Sequence, residues 1–230
     1  MNEKSVRSSI ARRLFLARIG GMGVAGATIV GTAATAEVTA KPTWQPARHA
    51  QDDWFDKVPG VHRLLFDTAS AEGMASALQF ASNFFTANHE GYGLKDSDLA
   101  VVIVARHKSA PFGYNDAVWT KYGKQFSEHA EFLDPKTKQP PTVNLYTTLG
   151  DGSGQPGRMD GLIKKGVHFA VCQMSTKRIA EKIAQANGLD GDSVLQEIAA
   201  NLVGNARLVS AGIVAVNRAQ EHGYTFVSAL

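Results

Sequence analysis

The sequence predicts an α/β domain built on a mostly parallel sheet of five strands. Short apolar segments alternate along the chain with segments in which apolar residues recur at helical spacing, which is the pattern of β-α-β units. Residues 99–105 are apolar without alternation, as expected of a strand that is buried on both faces. The 44% hydrophobic content of the 230-residue chain can fill the core of such a domain.

The first half of the domain contains two predicted strands and two predicted helices. Residues 62–67 form a short apolar run between a glycine and a Thr-Ala-Ser sequence, which predicts the first strand. Residues 71–88 carry Met, Leu and Phe at helical spacing, and a Gly-Tyr-Gly sequence ends this helix. Residues 99–105 are the second strand, and an aromatic-bearing helix follows at about residues 115–126.

A loop rich in Pro and Gly, residues 134–157, separates the two halves, and residues 143–149 within it are a candidate short strand. After this loop, apolar runs and segments with helical spacing of apolar residues follow again, and glycines bound them. The elements predicted there are a helix at 159–165, a strand at 167–172, helices at 176–187 and 192–203, a strand at 207–211, a helix at 213–222 and a strand at 224–227.

Residues 1–36 resemble an export signal. Five basic residues and one acidic residue precede an uncharged Gly/Ala-rich run that ends in Ala-Thr-Ala. The sequence Ala11-Arg12-Arg13-Leu14-Phe15-Leu16 resembles the twin-arginine translocation motif, with Ala11 where Ser or Thr is usual. We therefore predict a periplasmic protein that meets the membrane only through this signal. The alternative is an uncleaved signal that remains as an anchor, although its glycines make a poor membrane span.

The export segment accounts for the basic charge of the chain. The formal net charge is +3, but the residues after position 36 comprise 19 basic and 20 acidic residues. The charge therefore gives no reason to predict a nucleic-acid partner. Residues 37–60 are polar, contain Pro42, Pro46 and Pro59, and show neither helical nor strand periodicity, which predicts a linker able to pack across the domain at 61–230.

The single cysteine excludes an intramolecular disulfide and any site on one chain that needs several cysteines. Cys172 ends a predicted buried strand just before a helix expected to begin near Thr176. A thiol at a helix N-terminus lies near the positive end of the helix dipole, which favours the reactive thiolate. The alternative is a structural cysteine that packs as a small hydrophobe.

Two segments have patterns that can be compared with a known family. In the sequence from Gly166 to Ser175, a helix ending in Gly leads into an apolar strand that closes on a cysteine. In the sequence from Arg207 to Tyr224, a strand, a glycine, a helix and Gly-Tyr precede the last strand. These segments resemble the DsrE/DsrF-like family of sulfur-relay proteins, and the resemblance covers residues 62–230.

The resemblance implies a flavodoxin-like three-layer sandwich that assembles into homo-oligomers. It also implies a sulfur carrier or sulfurtransferase in which Cys172 is the nucleophile and holds a persulfide, exchanging sulfur with a donor or acceptor protein or a small sulfur compound. A non-catalytic periplasmic binding or assembly module is the alternative, with a ligand or soft metal near Cys172, His107 or His168.

Three further observations concern chemistry. His107 follows Arg106 at the end of a buried strand and is a candidate base near Cys172, or else a solvent-facing histidine. His168, Cys172 and Met174 would share one face if the strand continued, which makes them weak candidates for a copper site. Residues 152–157 match G-x-G-x-x-G, but Pro156 removes an amide and the loop lies outside the first β-α turn, so no cofactor is predicted.

We expect cleavage of the signal after Ala36. N-terminal sequencing of the protein from the periplasmic fraction should then give Glu37 as the first residue. Recovery of the chain from the cytosol with Met1 intact would contradict both export and cleavage.

Overall fold

The computed structural model describes residues 44–147 and 159–229. The chain divides into Met1–Gln45 and a compact unit, Pro46–Leu230, and all the helices and strands named below belong to the second. The signal segment and the glycine-containing loop at 152–157 lie outside the described residues. No helix of the described part is both long enough and apolar enough to serve as a membrane span.

Five strands form one sheet, and all of its pairings are parallel. The strands are β1 His62–Thr68, β2 Leu99–Ala105, β3 His168–Cys172, β4 Ala206–Val209 and β5 Thr225–Ala229. Their order across the sheet is β4-β3-β2-β1-β5. The α/β prediction is confirmed, and the sheet is entirely rather than mostly parallel.

Helices cover both faces of the sheet. They are α1 Trp54–Lys57, α2 Ala71–Tyr92, α3 Asp116–Ala130, α4 Met159–Lys164, α5 Gln173–Asn187, α6 Gly191–Ala200 and α7 Gly212–Glu221. A 3-10 helix, His107–Gly113, follows β2. The predicted elements are present apart from the short strand at 143–149, where residues 145–147 form a turn and residues 148 and 149 are outside the described part.

Two apolar clusters separate the layers and make the fold a flavodoxin-like three-layer sandwich. On the first face, Phe66, Ile103 and Val171 pack with residues of α2, α3 and α5. On the second face, Leu65, Val104 and Ala170 pack with α1 and α7. Alternate residues of β1, β2, β3 and β4 therefore enter different clusters, as the two-residue period of a strand requires.

The described end of the predicted linker is part of the second cluster. Trp54, Phe55 and Val58 are buried there, although the sequence around them shows no regular period. The carbonyl oxygen of Phe55 accepts hydrogen bonds from Tyr224 Oη at 2.9 Å and from Arg63 Nη1 at 2.8 Å. Residues 54–58 therefore pack across the second face.

Ser109 ties together the carboxyl ends of β1 and β2. Its fully buried hydroxyl accepts a hydrogen bond from the Arg106 backbone N–H at 2.9 Å and lies 2.9 Å from the Thr68 carbonyl oxygen. The hydroxyl of Thr68 is 2.8 Å from both Ser109 Oγ and the Val104 carbonyl oxygen. This network fixes the turn that carries Arg106 and His107.

Replacing Ser109 with alanine should lower the free energy of unfolding by about 1–3 kcal/mol, because buried polar groups lose their partner. Chemical denaturation measures this loss. Ser97→Ala, at an exposed position, is the matched control and should change stability by less than about 0.5 kcal/mol. Equal stabilities of the two variants would show that the network does not hold the turn.

Candidate functional site

The connections of the sheet diverge at the carboxyl ends of β3 and β4. The chain leaves β3 through α5, which packs on the first face, whereas it leaves β4 through α7, which packs on the second. Adjacent strands whose connections diverge in this way form the usual ligand crevice of a parallel α/β sheet. Cys172 ends β3 at this point of divergence.

Three polar or reactive side chains share the second face at this end of the sheet. Leu65 and Ala170 belong to the second cluster, so the strand period places Asp67 and Cys172 on the same face. Pairing of β2 with β3 ends at Ala105 and Val171, so the next two residues, Arg106 and Cys172, are neighbours across the two strands. Both have extended backbone conformations.

Arg106 and Asp67 form a bidentate ion pair. Nε of Arg106 lies 2.7 Å from Oδ1 of Asp67, and Nη2 lies 2.7 Å from Oδ2. Asp67 is 4% exposed, whereas the side chain of Arg106 keeps 26% of its surface exposed. The hydrogen bond to Asp67 is the main cause of the raised pKa of Arg106, and the negative charge of Asp67 raises this pKa further.

The stem of Arg106 lies against the first residue of α7. A Cβ atom at Gly212 would be 2.5 Å from Cβ of Arg106 and 2.9 Å from its Cδ. Only glycine permits this approach, because side-chain atoms do not come so close to one another. The close contact with the beginning of α7 thus restricts the position of the arginine stem after β2.

Cys172 is buried and directly precedes α5. Its side chain is 6% exposed, and among the described residues its thiol makes no hydrogen bond. Its carbonyl oxygen accepts a hydrogen bond from Thr176 Oγ1 at 2.9 Å, and Tyr114 Oη donates to the same hydroxyl at 2.9 Å. The helix was expected to begin near Thr176, but it begins at Gln173. The thiol is therefore closer to the helix N-terminus than the sequence indicated.

His107 lies beside the site but does not contact the thiol. Its side chain is exposed, and in the described part of the chain no hydrogen bond joins its imidazole to Cys172. Its backbone N–H donates to Ser175 Oγ at 3.0 Å, which links the turn after β2 to the first turn of α5. Its φ of 55° is unusual for a residue with a side chain.

The residues proposed for copper do not come together. β3 ends at Cys172, and Met174 lies in the first turn of α5 with 53% of its side chain exposed. His168 is at the opposite end of β3, roughly 13 Å from Cys172 at the usual rise of a strand. The assumption of one extended run through Met174 is wrong, because the helix begins at once. Residues 44–147 and 159–229 contain no group of three His, Cys, Asp or Glu side chains able to hold a metal ion.

Sequence reasoning placed Asp67 and Arg106 only at the ends of two predicted strands. It did not find the ion pair or the contact between Arg106 and Gly212. The available signal was an acidic residue and a basic residue at the ends of two successive buried strands.

Comparisons with known proteins assign no family. No protein-family model matches the chain, and no curated protein matches it. One similar solved structure is a protein of unknown function, MTH1491 from Methanobacterium thermoautotrophicum. It is 16% identical, with a TM-score of 0.37, and the match covers 73% of this chain and 99% of that one. A likeness of this strength supports no conclusion about function.

His129 contacts the turn that carries His107. Its Nε2 lies 3.0 Å from the His107 carbonyl oxygen. Burial is the main cause of the lowered pKa of His129, which the positive charges of Lys182, His107 and Lys108 lower further. Folding therefore favours the neutral imidazole.

We expect this histidine to make the protein sensitive to acid. Below about pH 6.5 the unfolded chain protonates His129 more readily than the folded chain does, so stability falls as the pH decreases from there towards the lower folded pKa. His129→Gln should reduce this loss when unfolding is measured at pH 7.5 and 5.5. Exposed His62→Gln is the control. The same pH dependence in both variants would contradict the assignment.

Proposed function

We propose that this protein is an exported sulfur carrier in which Cys172 accepts a sulfane sulfur as a persulfide and passes it to an acceptor. The observation that carries the proposal is the position of the chain's single cysteine, which ends β3 where the connections of β3 and β4 diverge and is next in register to a charged arginine. The resemblance of the segments around residues 166–175 and 207–224 to sulfur-relay proteins supports the same chemistry.

The proposed reaction needs no external oxidant. With thiosulfate as donor, the Cys172 thiolate attacks the outer sulfur, and a new S–S bond forms as the bond from that sulfur to the sulfonate breaks. Sulfite leaves with the bonding electron pair. An acceptor thiolate then attacks the outer sulfur of the persulfide, and Cys172 departs as a thiolate.

The thiolate itself is the nucleophile, so the scheme assigns no proton transfer to His107. Burial of Cys172 suits a carrier, because a persulfide shielded from solvent is less open to oxidation. The start of α5 directly after the thiol places unpaired backbone N–H groups and the positive end of a helix dipole near it. Export through residues 1–36 and assembly into a homo-oligomer belong to the same proposal.

The alternative is a non-catalytic binding or assembly module. Its supporting observation is that Met174, Ile213 and Val214, which lie in the first turns of α5 and α7, expose apolar surface. Under that alternative Cys172 is a packing residue, so the thiol should not form a persulfide. Sulfur loading therefore discriminates between the two functions.

Incubation with thiosulfate or polysulfide should add about 32 Da, one sulfur atom, to the intact mass. Because the chain has one cysteine, the adduct can be assigned without peptide mapping. Cys172→Ser should abolish the adduct, and a thiol reductant should remove it from the wild-type protein. The folded protein's failure to gain mass with any sulfane donor would reject the proposal and favour the binding module.

A further inference from the structure

We propose that Arg106, held in place by Asp67, makes the Cys172 site selective for small anionic sulfur compounds. This inference rests on the proposed function and names its donor class, of which thiosulfate and hydropolysulfide are members. Uncharged or cationic donors would gain nothing from the arginine.

The first support is the position of the charge. Arg106 and Cys172 follow the paired residues Ala105 and Val171 and share the second face, so their backbones are separated by about one strand spacing, roughly 4.8 Å. After the larger effects of Asp67, a negative charge on Cys172 makes the smallest contribution to the raised pKa of Arg106, which places the two groups within electrostatic range. A reagent that reaches the thiol therefore enters the field of the arginine.

The second support is the fixed orientation of the guanidinium. Asp67 occupies Nε and Nη2, and the stem of Arg106 fills the space left by the missing side chain of Gly212. Within residues 44–147 and 159–229, no hydrogen bond is made by Nη1. The guanidinium therefore has unused N–H donors on Nη1. Because about a quarter of the Arg106 side chain is exposed, an anion can reach these donors from solvent.

These features match the charge of an anionic donor and of its leaving group. When thiosulfate transfers its outer sulfur, the departing sulfite carries the negative charge away from the thiol. A guanidinium with an unused N–H group can hydrogen-bond to sulfonate oxygens both before and after the S–S bond breaks. Asp67 supplies no contact to the donor and acts as a positioning residue through Arg106.

Alkylation of Cys172 measures this selectivity without any sulfur transfer. Iodoacetate and iodoacetamide react alike, since the thiolate forms a bond to carbon and iodide leaves, but only iodoacetate is an anion. The ratio of their second-order rate constants on the full-length protein therefore reports the field at the thiol. The ratio also cancels changes in accessibility and in thiolate fraction, which affect both reagents equally.

The main variant is the double substitution Asp67→Asn with Arg106→Gln. It removes both charges, keeps the net charge, and avoids leaving the buried Asp67 carboxylate without its partner. We expect the ratio of iodoacetate to iodoacetamide rates to fall about threefold to tenfold. Arg106→Gln alone leaves Asp67 negative, so in any folded preparation its ratio should fall further.

The control is Arg218→Gln, which removes an equal charge from α7, six residues beyond Gly212. Arg218 pairs with Glu221 and Asp52, away from Cys172, so this variant should keep the wild-type ratio. A double variant that is folded by circular dichroism and retains the wild-type ratio would overturn the inference.

The sulfur-carrier function and the selectivity conferred by Arg106 can be rejected independently of each other. If the wild-type protein forms a sulfur adduct but the alkylation ratios of wild type and double variant are equal, the sulfur-carrier proposal is supported and the role of Arg106 is rejected. If the ratio falls in the double variant but the wild-type protein forms no sulfur adduct, the thiol is selective for anions and the sulfur-carrier proposal is rejected.

Discussion

The burial of β2 on both faces is the constraint on which the rest of the structure depends. All seven of its residues, Leu99–Ala105, are apolar and at most 2% exposed, and β1 and β3 pair along its sides. A polar side chain in the middle of this sheet would lose water without gaining a partner. Polar chemistry is therefore confined to the strand ends, where Asp67, Arg106 and Cys172 lie.

Confinement to the strand ends also explains why the carboxylate of Asp67 is so fully paired. Asp67 is almost as buried as the apolar core, and a carboxylate in that position is tolerable only with a close partner. The bidentate contact from Arg106 supplies it, and Gly212 leaves the space in which the arginine stem lies. The same ion pair that makes a buried carboxylate acceptable thus leaves a partly exposed guanidinium on the face of the sheet that carries Cys172.

The sequence predicted the sheet well because β2, β3 and the amphipathic helices have clear periods. It predicted less of the site for two physical reasons. A strand and a helix can join without a loop, so the residues after Cys172 seemed extended until the structure showed α5 beginning at Gln173. The contacts of Arg106 with Asp67 and Gly212 join residues far apart in the chain, and no local pattern encodes such contacts.

The burial of Cys172 constrains how a carrier could work. An exposed lone cysteine in an oxidising compartment would form disulfides between chains, whereas a thiol that is 6% exposed admits small reagents more readily than a folded partner. Loading by a small anion fits this geometry as it stands. Under the proposed function, delivery to another protein would require that the acceptor thiol be presented on a narrow, flexible segment, or that the residues covering Cys172 move away. The burial that would protect a persulfide there therefore makes delivery, rather than loading, the step that depends on movement.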